Sequence, residues 1–486
     1  MSCRKRSRLT RTKKTKSRRE RAVQKTNKEY LTASLNWLLS DGSIFSQMRL
    51  HGNTKWLPKS LVCLAVFWAW SEARHLTDAY TEAAACCQGL FQTIVPGTYQ
   101  GFMGALTRWT PTLMAILWPV LQTRMAEIGG KFWRVHGWVP IAFDGSRAAA
   151  PRTEVNERAF CAPNYGKGKT AKYRKKKSKG MRRKKNEKNK PQPQEPQAWI
   201  TLLWHVGLRL PWTWRLGPSN SSERAHVMEM IRPGKFPKNT LFCGDAGFVG
   251  FPLWSHIVQS GGHFLVRVGA NVSLLRESAD YELVKNGLVL CWPQAMQAKQ
   301  PPLRLRLVKV RLGKTAAYLL TSVLDSKRLT VPQMVTLYKM RWGIEVEFRG
   351  LKQTLDRAKL RCRNDRRLLA ELDWSIMAMA VAELFALREQ LAKKPQTADP
   401  RRRSLANTVR ALRGCLRALD AVPIAGADLP TLLREAVTDS YDRKKPKRAR
   451  YRPPNPDKKP LGAPKVRKIT AQEKKRLRET QRELAA

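Results

Sequence analysis

The chain is short of acid: 37 Asp and Glu stand against 92 Lys and Arg, a net charge of +55 over 486 residues. Such a balance says nothing of fold, but it selects a polyanionic partner, nucleic acid above all, and steers it electrostatically. Cysteine is sparse as well. The nine thiols are scattered, the one adjacent pair is Cys86-Cys87, and none falls in a CxxC or in a Cys/His set with zinc spacing. That excludes a zinc-finger module and a disulfide scaffold, and it predicts free, mostly buried thiols in a reducing compartment. Cys243, inside an apolar run, reads as a small core filler. No apolar stretch reaches membrane length: Leu61 to Trp70 has about half of the ~20 residues a span requires. The N-terminus, MSCRKRSRLTRTKKTKSRRERA, has no apolar centre and so is not a secretory signal. The expectation is a cytoplasmic protein with no membrane partner.

What is present suffices for a large core: 42% of residues are hydrophobic, with 16 Trp and 14 Phe. Residues 1–28 form a basic tail, too charged to bury apolar surface until it meets phosphate. From 29 to 133 apolar residues recur at helical spacing, which predicts a helical N-terminal domain with a possible DNA-binding role. The period then changes. Trp138 to Phe143 is a short apolar run that stops at Asp144-Gly145, and Thr240 to Gly244 is another that stops at Asp245. Between them lie two further strand-like runs, Ala198–Gly207 and Pro211–Leu216, and a helix opened by Asn220 with Glu223 three residues on, a capping-box pattern. A helix near 251–260 and a strand at 263–268 complete the series, an α/β core spanning 134–392.

Two stretches interrupt that core. Residues 164–196 form a basic loop whose Lys167–Lys190 stretch is dominated by Lys, Arg and Asn before a Pro/Gln run, a solvated loop able to touch a DNA backbone. Residues 271–325 read as an inserted β-rich subdomain in which LRLRLVKV alternates apolar and basic positions. The alternation places Arg304, Arg306 and Lys309 towards solvent or DNA. Residues 393–442 read as a helical C-terminal region and 443–486 as a second basic tail.

The most informative segment is TLYKMRWGIEVEFRGLKQTL, read as one helix. Tyr338, Arg341, Glu345 and Lys352 lie at offsets of 0, 3, 7 and 14, so their directions fall within an arc of roughly 60°. Leu337, Ile344, Phe348, Leu351 and Leu355 occupy the adjoining, core-facing arc, while Glu347 points almost opposite Tyr338. Glu345 alone would be an ordinary solvated helix position. Beside two aspartates at strand ends it makes an oxygen-rich set suited to Mg²⁺ or Mn²⁺, and two such ions support in-line phosphoryl transfer. Arg341 and Lys352 would grip phosphates, and Tyr338 could donate to one.

The spacing Tyr-x2-Arg-x3-Glu-x6-Lys resembles the signature of the DDE transposases of bacterial insertion sequences. FDGSR around Asp144 and GDAGF around Asp245 look like that family's two aspartate motifs. The resemblance implies an RNase H-like catalytic domain with an inserted β-rich subdomain, flanked by helical regions. It further implies cut-and-paste transposition, with Asp144, Asp245 and Glu345 catalytic and metal-binding. Tyr338, Arg341, Trp342 and Lys352 would contact DNA, with Trp342 helping to hold a flipped base. The partners implied are double-stranded DNA (terminal inverted repeats and target) and a second copy of the chain, in a nucleoid-associated bacterial setting. Two other functions stay open: a structure-specific nuclease of the same fold, and a non-catalytic DNA-binding protein derived from a transposase.

Overall fold

A computed structural model describes residues 25–91, 95, 97–161, 195–276, 287–297, 300–313, 315–393, 398–438 and 461–483. The N-terminal tail, the basic loop and residues 443–460 therefore lie essentially outside the described residues. The mixed α/β architecture centres on one ten-stranded sheet in the order β10-β6-β7-β8-β9-β5-β4-β1-β2-β3. In chain order the strands are β1 (Val139–Ala149), β2 (Gln197–His205), β3 (Leu210–Gly217), β4 (Thr240–Gly244), β5 (His263–Val268), β6 (Ser273–Arg276), β7 (Gly287–Cys291), β8 (Leu303–Leu312), β9 (Thr315–Thr321) and β10 (Lys465–Lys468). β1, β2 and β3 form an antiparallel meander, and β4 and β5 run parallel to β1.

The N-terminal helices do not stand apart from this sheet. Helix Asn27–Leu39 opens with a Thr26/Glu29 capping box. Helix Pro58–Trp70 is buried from Leu61 to Trp70, where the chain's most apolar stretch meets the long helix Asp365–Lys393. Trp70 Nε1 donates to the Ala378 carbonyl at 2.9 Å across that contact. One continuous apolar cluster runs from Leu31 through the sheet residues Ile141 and Leu202 to Leu433. No described helix is long and apolar enough to cross a membrane.

The strands within residues 271–325 extend the central sheet: the edge of β5 pairs with β9 from Leu265↔Thr321 to Val268↔Tyr318. An unpaired edge there would leave a row of backbone groups without partners. Arg306 does not face solvent: both faces of β8 are covered, and the guanidinium is buried, donating through Nη2 to the Leu329 carbonyl. Arg304 and Lys309 are exposed. Within the span read as a basic tail, residues 461–483 form β10, parallel to β6, and helix Ala471–Glu483. Their few apolar side chains decide this: Ile469 and Leu477 pack with Leu275, Leu290 and Trp292, while Glu473 accepts from Arg467 Nη2 at 2.6 Å. Finally, Ser222, not Asn220, caps helix Glu223–Met230, accepting from Ala225 N–H.

The segment read as one helix is two, Val331–Met340 and Gly343–Gln353. At the junction the hydrogen bonds shorten to i→i+3 spacing, from Trp342 N–H to the Lys339 carbonyl and from Glu345 N–H to the Trp342 carbonyl. Gly343 is the pivot. A Cβ there would stand 2.7 Å from Arg209 Nη1 and 2.9 Å from Trp204 Cζ3, in a region with no spare volume. Gly343→Ala is therefore expected to cost about 1–3 kcal/mol by overpacking, read as a lowered midpoint in thermal unfolding. An unchanged midpoint would mean that the second helix can shift freely.

Candidate active site

Parallel pairing of β1 with β4 puts Ala142 beside Cys243. Two residues further along each chain come Asp144 and Asp245, so the register sets the two carboxylates abreast. Asp144 is not at a strand end, as the apolar run suggested: β1 continues to Ala149, with Asp144 paired to Leu202 of β2. Asp245 follows β4 directly. Each aspartate is held by a nearby backbone N–H at 2.8 Å, from Gly145 to Asp144 Oδ1 and from Gly247 to Asp245 Oδ1.

Helix Gly343–Gln353 presents Glu345 from its first turn to the same region. Glu345 is the wall shared by two clefts. One, of about 670 Å³, is lined by Asp245, Arg267, Tyr338, Arg341, Trp342 and Glu345. The other, of about 390 Å³, is lined by Asp144, Ser146, Glu345, Arg349 and Lys352. All seven residues singled out in the sequence thus line these two clefts. Trp342 is 59% exposed at the mouth of the larger.

The electrostatics tie the site together. Burial pushes the Asp144 carboxyl up to about 6, helped by the charges of Asp245 and Glu345 and opposed by the Gly145 N–H and Arg341. Burial likewise raises Glu345, with Asp245 adding to the effect and Arg341 opposing it. Burial lowers Lys352. Arg341 Nη1 stands 3.6 Å from Asp144 Oδ2, on a side chain only 6% exposed. Its Nε and Nη1 have no hydrogen-bond partner, which leaves buried donors facing the carboxylates. Among the described residues no three Asp, Glu, His or Cys side chains converge at metal-holding geometry. The donor set is nonetheless all carboxylate oxygen, the chemistry that hard divalent cations take.

Two acidic residues were missed as parts of this region. Glu347, read as pointing away, is buried beneath the helix. Burial and the neighbouring Glu383 carboxyl hold it well above the usual range, while Arg403 and Arg209 oppose this. Arg403 Nη2 lies 3.3 Å from Glu383 Oε1, and its Nη1 donates to the Leu208 carbonyl. The signal was available: Glu347 sits three residues after Ile344 and four before Leu351, on the core stripe. The second, Glu223, was read only as a capping residue; its carboxyl feels the charges of Asp144 and Asp245.

Residues 141–381 match the model of a family described as the transposase DDE domain. Over 252 residues the chain is 32% identical to the transposase InsG for insertion sequence element IS4 of Escherichia coli (strain K12), covering 50% of this chain and 50% of that protein. Both similarities are to DDE-type transposases. The chain spans about half the length of the curated relative it matches. Among solved structures, a cryo-EM structure of the piggyBac transposase synaptic complex with hairpin DNA aligns with a TM-score of 0.37 and 12% identity, over 79% of this chain and 78% of that one.

The raised Asp144 carboxyl has a stability consequence. Its ionised form is the disfavoured one, so the cost is absent below about 4, grows through the interval and is complete above about 6. About two pK units correspond to roughly 3 kcal/mol at most. Asp144→Asn is expected to raise the thermal unfolding midpoint at pH 8 and to change it much less at pH 4.5. An equal gain at both pH values would contradict the raised carboxyl.

Proposed function

We propose that this chain is a DNA transposase that moves an insertion sequence by cut-and-paste phosphoryl transfer, cleaving the element's ends and joining them to target DNA. The observation that carries this is the abreast pair Asp144 and Asp245 under Glu345, inside residues matched to the DDE domain. The strand order β3-β2-β1-β4-β5, with β1 to β3 antiparallel and β4 and β5 parallel to β1, supports an RNase H-like catalytic domain.

In this reading Asp144, Asp245 and Glu345 hold two divalent ions, Mg²⁺ or Mn²⁺. When bound, such ions activate an attacking oxygen and stabilise the leaving one. Arg341, with two guanidinium nitrogens lacking hydrogen-bond partners, grips a phosphate beside the reacting bond. Lys352 reaches a second phosphate from the smaller cleft and Tyr338 donates from the larger. Trp342, exposed at the mouth, offers a face on which a displaced base can stack. Water serves first as nucleophile and the freed 3′-hydroxyl second, so one site performs both steps and no protein nucleophile is needed. The partners are the terminal inverted repeats and target duplex, held by two copies of the chain.

The test is incubation with a labelled terminal-repeat duplex and Mg²⁺. Asp144→Ala, Asp245→Ala and Glu345→Ala are each expected to lower cleavage by at least 10³-fold while end binding is retained. Substantial cleavage by Glu345→Ala would place the chemistry elsewhere. Binding should fall by roughly 10³-fold or more between ~50 and ~200 mM salt, as cationic side chains displace condensed counterions. Lys352→Ala should weaken binding and flatten that slope, and a slope near zero in the parent protein would contradict the role given to its charge.

A further inference from the structure

We propose that Glu223 is a fourth carboxylate of the metal site, and that residue 145 is glycine so that this side chain can enter. The proposal rests on the reading of Asp144, Asp245 and Glu345 as the ion-binding trio. Glu223 belongs to helix Glu223–Met230, which the trio does not use. Its side chain leans across β1: a Cβ on Gly145 would stand 2.6 Å from Glu223 Cδ and 2.9 Å from Cγ, and nearer still to Oε1. Real Cβ atoms do not approach so closely, so any other residue at 145 would expel the carboxylate.

Backbone conformation offers no other reason for this glycine. Gly145 is an ordinary strand residue paired with Thr201, and it is not among the residues of positive φ. The close approach is to the residue immediately after Asp144, which brings Glu223 to the trio's edge.

The neighbourhood is unfavourable for a glutamate that merely starts a helix. An acidic first turn suits the helix dipole, but that benefit needs no contact with β1. Instead the group is half-buried, and burial together with the charges of Asp144 and Asp245 holds its carboxyl above the usual range, opposed by Arg147. No hydrogen bond or ion pair among the described residues ties its oxygens down. Asp144 and Glu345 face one buried guanidinium, Asp245 stands beside them, and Glu223 adds its charge to that of Asp144 and Asp245; the excess of negative charge is one that cations offset. A separate observation points to a ligand between them: Arg341 is 5% exposed, and its Nε and Nη1 lack hydrogen-bond partners beside Asp144. A metal-bound phosphate would satisfy those donors and share the ion with Glu223.

The experiment is a calorimetric Mn²⁺ titration of the full chain, compared with Glu223→Gln and Glu345→Gln, with thermal unfolding with and without Mn²⁺. Glu223→Gln is expected to weaken Mn²⁺ binding at least tenfold and to shrink the Mn²⁺-induced rise in unfolding midpoint. The metal-free midpoint should stay level or rise, since a like charge is removed. A purely capping role predicts the reverse: a lower metal-free midpoint and unaltered Mn²⁺ affinity. If Glu345→Gln loses affinity while Glu223→Gln stays within twofold of the parent, this proposal fails alone. If neither variant changes, the trio itself is misassigned and the proposal falls with it. Should Glu223→Gln fold poorly, Glu223→Asp keeps the charge and shortens the reach. The same loss is expected of it, and full affinity would overturn the proposal.

Discussion

Everything in this molecule turns on holding like charges close together without letting them relax apart. Asp144 and Asp245 are abreast because β1 and β4 pair in parallel register, and backbone hydrogen bonds in a sheet do not yield to repulsion between two side chains. Glu345 is brought in by a helix with its own anchors. Burial first, and the neighbouring carboxylates second, raise the Asp144 and Glu345 carboxyls, and Arg341 offsets part of this from a buried position 3.6 Å from Asp144. Such an arrangement costs the resting protein stability, which under the proposed function is the counterpart of affinity towards cations and phosphate.

That arrangement demands support on three sides. Below, the sheet is packed on both faces, and its β5 edge is extended by β9 and β8, with even Arg306 enclosed. Behind the helix that carries Glu345, Glu347 is buried beside Glu383, whose carboxylate pairs with Arg403. At its start, Gly343 lets the backbone lie against Trp204 and Arg209, so the bend at Arg341 and Trp342 is set by contact. The bend also separates the faces. Tyr338 and Trp342 line one cleft, Lys352 lines the other, and Glu345 stands between them.

Much of this was legible in the sequence, for identifiable reasons. Short apolar runs ending at an acidic residue mark buried strands, and the offsets of Tyr338, Arg341, Glu345 and Lys352 mark one helical face. Those features single out six residues that are among the lining of the two clefts, and the family resemblance added Trp342. Periodicity could not say that β1 runs past Asp144, because polar residues continue the strand once hydrophobic ones stop. Nor could it say which face of β8 would be covered, since that depends on the helix at 331–340 arriving from outside the pattern. Residues 461–483 hid two apolar contacts among many charges. Glu223 escaped because its relation to Asp144 is made through space, 79 residues apart in the chain, and its only local trace is a glycine.

The central claim is that Asp144, Asp245 and Glu345 form one cation site on this sheet. Anomalous scattering from crystals of the full chain soaked in Mn²⁺ tests it most directly. Manganese peaks bounded by oxygens of all three carboxylates, with Arg341 withdrawn from Asp144, are the expected result. Peaks at other carboxylates, or none at a concentration that supports DNA cleavage, would contradict the account.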